Sequence, residues 1–202
     1  MRLHVSAIAT AALLLLSGGA SAQPYSLRTM TAPKVSIAQL RSFHLMPTPL
    51  RRDGMRGAAY DPMQNGTAAN RVFRRIVADE FVDRGYFDSE WMPDFVVAIY
   101  ASSRGALDLS SWQYGYAYSP SWWPEGSGAT STTYEPGTVV VDVIDPETLD
   151  VLWRGAAIAR MGANDLANTN ALLEAAIGIV SHFPRAKPIV VAARAGACAP
   201  CR

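Results

Sequence analysis

Residues 138–160 read TVVVDVIDPETLDVLWRGAAIAR, and this stretch decides the fold. Successive side chains of an extended chain alternate sides, so Val139, Val141 and Val143 point one way and Val140, Asp142 and Ile144 the other. Asp145-Pro146 begins a turn. Asp150 to Arg160 then forms a second strand through Val151, Leu152, Trp153 and Ile158, and the two strands make a hairpin.

Working outward, Pro93 to Ala101 holds Phe95, Val96, Val97, Ala98, Ile99 and Tyr100, apolar on both faces as in a strand near the middle of a sheet. Upstream, Thr67 can cap a helix in which Val72, Phe73, Ile76, Val77, Glu80 and Phe81 fall at helical spacing, with Gly85 as its stop. Arg51 to Gly66 carries Asp53-Gly54, Asp61-Pro62 and Asn65-Gly66, which mark an exposed connection. Before it, Ser42 to Met46 is a short strand ended by Pro47 and Pro49, while the pattern elsewhere between Gln23 and Pro49 is weak. Downstream, Asp165 can cap a last helix bearing Leu166, Leu173, Ile177 and Val180, stopped by Pro184. The order is β-α-β-β-β-α. Two one-sided helices need a sheet to cover, which predicts an α/β fold of the α+β kind, a two-layer sandwich. The domain is expected over residues 40–185, with an N-terminal extension at 23–39, a long insertion at 105–136 and a C-terminal tail at 186–202.

The 202 residues carry 18 Lys and Arg against 17 Asp and Glu, and half of them are hydrophobic. Near-zero charge, with no basic block longer than Arg51-Arg52 or Arg74-Arg75, gives no electrostatic reason to expect a nucleic-acid partner. The first twenty-two residues read as a secretory signal: Arg2, an apolar run from Ala7 to Leu16, and Ala20-Ser21-Ala22 before Gln23. Cleavage after Ala22 would leave a soluble periplasmic or secreted protein, since no stretch approaches the ~20 apolar residues of a membrane helix. The only cysteines are Cys198 and Cys201, so none stands at the cleavage site to carry a lipid, and no lipid anchor is expected.

Three stretches stand out together: Asp61-Pro62 leading to Asn70-Arg71 and on to Arg84-Gly85-Tyr86; Pro93-Asp94-Phe95-Val96-Val97; and Gly137-Thr138 through Asp145-Pro146 to Leu152-Trp153-Arg154-Gly155, followed by Phe183-Pro184. Their combination resembles the bacterial envelope family known as domain of unknown function 4136. The resemblance covers roughly residues 40–185. It implies an envelope location and a small α/β domain, often lipid-anchored, and it brings no catalytic residue. This chain departs from that pattern in lacking the lipid-attachment cysteine and in adding the tail with Cys198 and Cys201.

Catalytic and metal chemistry find little material. Outside the signal the chain has only His44 and His182, each read as a satisfied or surface imidazole, and two cysteines alone close no structural zinc site. No Gly-x-Ser-x-Gly elbow occurs. Cys198-Ala-Pro-Cys201 has redox spacing but no following helix to stabilise a thiolate, which favours a terminal disulfide loop in an oxidising compartment. No cofactor is expected. The conspicuous feature is the insertion, where Trp112, Tyr114, Tyr116, Tyr118, Trp122, Trp123 and Tyr134 alternate with Gly, Ser and Pro. Tyr and Trp concentrate in recognition surfaces because they offer large contact area with a polar tip. Set against this is the plainer reading that the rings cover the sheet or one another. The expectation is a non-enzymatic envelope module whose aromatic loop contacts an envelope protein or glycan. The alternative is a small secreted hydrolase of an envelope polymer that uses Asp94 or Asp142 as acid or base, which requires two carboxylates at a working distance.

Overall fold

The Thr67 hydroxyl accepts a hydrogen bond from the Asn70 N–H at 3.1 Å, and helix α1 (Ala68–Asp83) starts there because one of its unpaired amides is satisfied. Asn70, Phe73, Val77 and Phe81 line its buried stripe. Gly85 takes φ +92°, the left-handed turn that ends the helix without a Cβ clash. A computed structural model of the chain describes residues 24–48, 63, 67–109, 122–123 and 133–188.

Among the described residues the strands are β1 (Tyr25–Thr31), β2 (Ser42–Leu45), β3 (Phe87–Asp88), β4 (Phe95–Ala101), β5 (Leu107–Asp108), β6 (Thr133–Tyr134), β7 (Thr138–Ile144) and β8 (Val151–Ala159), and the second long helix is α2 (Asp165–Ser181). Six of the strands form one mixed sheet in the order β1-β8-β7-β4-β2-β3, and β5 and β6 pair separately. Strands β2, β3 and β4 run parallel to one another and the remaining neighbours run antiparallel. The expected hairpin is β7 and β8, and the expected central strand is β4. At the turn, Asp145 Oδ1 accepts the N–H groups of Glu147 and Thr148, as an Asp at a turn start does.

Both helices lie on one face of the sheet. Phe73, Val77 and Phe81 of α1 and Leu172, Ala176 and Ile179 of α2 share a core with Val97, Ile99, Val141, Val143 and Trp153. At one end Phe43, Phe81, Tyr86, Phe95 and Phe183 stack on one another, with Trp153 edge-on to Phe183 at a centroid distance of 5.1 Å. The opposite face is covered as well. There Leu107, Leu109, Trp122 and Tyr134, described residues of the insertion, pack on Ala98, Tyr100, Val140, Ile144 and Val151.

Three expectations change. The segment 23–39, expected outside the domain, supplies β1, which pairs along its whole length with β8. Its signal was weak because an edge strand with mixed burial shows little apolar alternation. The stretch 105–136, which breaks periodicity in the sequence, contains the short strands β5 and β6. In α2 the cap is Asn164, whose Oδ1 accepts from Ala167 N–H at 2.9 Å, while Asp165 is the first helical residue and pairs with Arg104. Its buried side is Leu172, Ala175, Ala176, Ile179 and Val180, and Leu166 is 71% exposed. A helix apolar on most sides leaves the choice of face to fit, and small residues decide it here. A Cβ at Gly178 would sit 2.1 Å from the Tyr25 hydroxyl, and one at Gly155 would sit 2.2 Å from Ile179 Cγ2.

Candidate functional site

On the face away from the helices, Asp142 of β7 stands directly opposite Arg154 of β8. Arg154 Nε donates to Asp142 Oδ1 and its Nη2 to Oδ2, both at 2.7 Å, a two-pronged carboxylate pair with both side chains almost wholly buried. Burial alone disfavours the guanidinium charge, but the Asp142 charge and its hydrogen bonds outweigh that and hold Arg154 more firmly protonated than usual. Above the pair lies Trp123, its ring centroid 5.9 Å from the guanidinium carbon, a cation–π arrangement. Trp122 meets Trp123 edge-on at 6.4 Å.

A bulge creates this pairing. The turn bonds Asp145 N–H to Asp150 O, and Ile144 pairs with Val151. Continued unbroken, that register would set Asp142 against Trp153. Instead Val143 pairs with Trp153, so Leu152 is the extra residue and Arg154 arrives opposite Asp142. The same shift turns Trp153 into the helix-covered core and leaves Val151 on the other face.

The sequence-derived candidates are distributed as follows. Trp123 is 6% exposed and therefore buried, which corrects the expectation that its ring is a free contact surface: it covers the ion pair. Trp122 and Tyr134 are half-buried and pack on the same apolar cluster. Trp112, Tyr114, Tyr116 and Tyr118 lie outside the described residues, as do Cys198, Cys201 and the signal segment 1–22. Asp94 Oδ2 accepts the N–H groups of Arg41 and Ser42 at 2.8 and 2.9 Å, while the Ser42 hydroxyl accepts from Asp94 N–H. Burial pushes the Asp94 carboxyl up, but these bonds and the nearby Arg41 charge prevail and hold it below its ordinary value. Asp94 precedes β4 and Asp142 pairs with Ala98. Their backbone positions are thus roughly 13 Å apart along the strands.

His44 Nδ1 lies 3.3 Å from Asp88 Oδ1 at the partly exposed β2–β3 edge. His182 caps α2, its Nδ1 placed 2.8 Å from the Gly178 carbonyl that accepts from it. Among the described residues no three His, Cys, Asp or Glu side chains come together as a metal site would need, and no helix is long and apolar enough to cross a membrane. Sequence reading singled out Asp142 but not its partner. The available signal was an Asp in a valine run and an Arg in the facing strand, and only the bulge joins them.

A family model described as Domain of unknown function (DUF4136) matches residues 28–185. The chain belongs to that family. The match begins inside β1, in keeping with that strand's place in the sheet. The DUF4136 fold here is similar to the crystal structure of a DUF4136 family protein from Bacteroides thetaiotaomicron, at 12% identity and a TM-score of 0.50, covering 77% of this chain and 92% of that one. Weaker likenesses are to a PelC dodecamer from Paraburkholderia phytofirmans (10% identity, TM-score 0.38, 81% of this chain and 99% of that one) and to a PDZ domain protein from Parabacteroides distasonis (11%, 0.43, 82% and 36%). No curated protein matches the chain. These likenesses concern the fold alone.

Proposed function

We propose that this DUF4136 chain is an exported, non-enzymatic envelope protein that works as a binding or assembly module, its aromatic insertion contacting an envelope protein or glycan. The supporting observation is how the insertion is held. Leu107 and Leu109 near its start, Trp122 and Trp123 in its middle and Tyr134 near its end are all seated on the sheet. Trp112, Tyr114, Tyr116 and Tyr118 lie in sequence between two such anchors. Anchored ends lower the entropy lost when an intervening contact segment binds. Aromatic residues in such a segment are the kind that dominate recognition energy.

The test replaces Trp112, Tyr114, Tyr116 and Tyr118 with Ser and leaves the anchors intact. The expected result is an unchanged thermal midpoint together with lost retention of envelope protein or glycan that the wild type retains. Unchanged retention on every envelope fraction would overturn the reading. The export part is checked by N-terminal sequencing of material from the periplasm or medium, which should begin at Gln23. Material that keeps Met1 in the cytoplasm would contradict it.

A further inference from the structure

The C-terminus of α1 and the chain leaving α2 enclose a cleft of about 310 Å³, away from the aromatic insertion. Arg41, Arg84, Arg185 and Lys187 line it against the single carboxylate of Asp83, a net of three positive charges (four minus one). Three separate segments of the chain bring these cations together: the approach to β2, the end of α1 and the residues after α2. No ion pair joins any of the four to a carboxylate among the described residues.

Part of their hydrogen bonding is local. Arg84 Nε donates to the Phe183 carbonyl at 2.6 Å, Arg185 Nη1 to the Asp83 carbonyl at 3.1 Å, and Arg41 Nη1 to the carbonyls of Ala38 and Leu40. These bonds position the guanidinium groups and occupy only some of the five N–H donors that each guanidinium carries. Burial, and next the charge of Arg185, lower the pKa of Arg84, while Tyr86 and Glu80 act in the opposite sense. Like charges held together at a concave surface attract an anion with several oxygens, which can bridge two forks at once.

We propose that this cleft is an oxyanion site that takes a phosphoryl group, either of a small phosphorylated molecule or of a lipid headgroup. Phosphoryl fits better than carboxylate because its higher charge and additional oxygens match several cations arriving from different directions. The volume also exceeds that of a bare phosphate, since small-ligand sites begin near ~300 Å³, so the group's carrier can enter with it.

The probe is inorganic phosphate, titrated into the full chain at constant ionic strength with sodium chloride as the balancing salt. Calorimetry should register binding, and the thermal midpoint should rise with phosphate beyond the chloride control, as mass action requires. Arg185→Gln with Lys187→Gln should weaken phosphate by about tenfold or more, the loss expected when charge-assisted hydrogen bonds disappear. Because Arg185 also bonds a helix-end carbonyl, Lys187→Gln alone serves as the second variant: its ammonium makes no hydrogen bond among the described residues, and it should weaken phosphate without moving the unliganded midpoint. Flotation with phosphatidic acid vesicles, compared with phosphatidylcholine vesicles, separates the two sources. Retention lost in the double variant identifies a headgroup, and phosphate binding without retention identifies a small phosphorylated ligand. Phosphate effects equal to chloride with no vesicle retention, or phosphate affinity unchanged in both variants, would overturn the proposal.

Discussion

Arg154 and Asp142 meet as a two-pronged pair almost wholly out of water, with Trp123 over the guanidinium. Truncating Arg154 would leave the Asp142 carboxylate buried without its charge partner. Arg154→Ala should therefore cost about 3–5 kcal/mol in chemical denaturation, since breaking a buried pair leaves a lone charge in an apolar setting. Replacing both members with apolar residues of similar size, Asp142→Leu with Arg154→Met, should recover most of that loss, because the desolvation of both charges disappears with them. A double variant as unstable as the single one would show that the pair does more than satisfy itself. Tyr86 gives a prediction in pH. Its hydroxyl donates to the Pro184 carbonyl at 2.9 Å, and burial, opposed by the Arg84 and Arg41 charges, pushes its pKa up to about 12. In the unfolded chain a tyrosine ionises near ~10. Its contribution is therefore complete below about pH 10 and is lost as pH rises toward 12, because the unfolded state releases the proton first. Tyr86→Phe should flatten that alkaline fall in stability relative to the wild type, and an identical fall in both would refute the assignment.

At the scale of elements, the insertion behaves as part of the sheet's cover at its described points. Changing Trp122 and Trp123 together to Ala should lower the thermal midpoint by about 5 °C or more, because truncating buried aromatic residues costs roughly 3–5 kcal/mol in a domain of this size. An unchanged midpoint would return Trp123 to the surface. The hairpin and the central strand were legible because valine alternation with a polar turn has few competing readings. Helix α1 was legible for a similar reason: Thr67, the stripe through Phe73, Val77 and Phe81, and Gly85 all point the same way. Helix α2 was legible as a helix but not in its facing. Its apolar residues surround it, and the contact of Gly178 with Tyr25 and of Ile179 with Gly155 decides which side turns inward. Short β5 and β6 were not legible, since two-residue strands carry no period.

For the whole molecule, β1 closes the sheet. It lines β8 from Tyr25 to Thr31, and Tyr25 reaches α2. A chain beginning at Ile37 should lose about 3 kcal/mol or more, from unpaired backbone along β8 and the uncovered apolar contacts of Tyr25 and Leu27. A truncated protein with the full chain's urea midpoint would place β1 outside the folding unit. The amino-acid sequence by itself determined the elements whose residues repeat at the period of a helix or strand, the turn that joins β7 to β8, and the family to which the chain belongs, because those signals are local or nearly so. Tertiary structure alone decided that Tyr25–Thr31 joins the sheet, that Asp142 meets Arg154, that Trp123 covers them, and that four cations share one cleft. Each of these depends on a register shift of one residue or on segments far apart in the chain, and no local pattern encodes the distance between them.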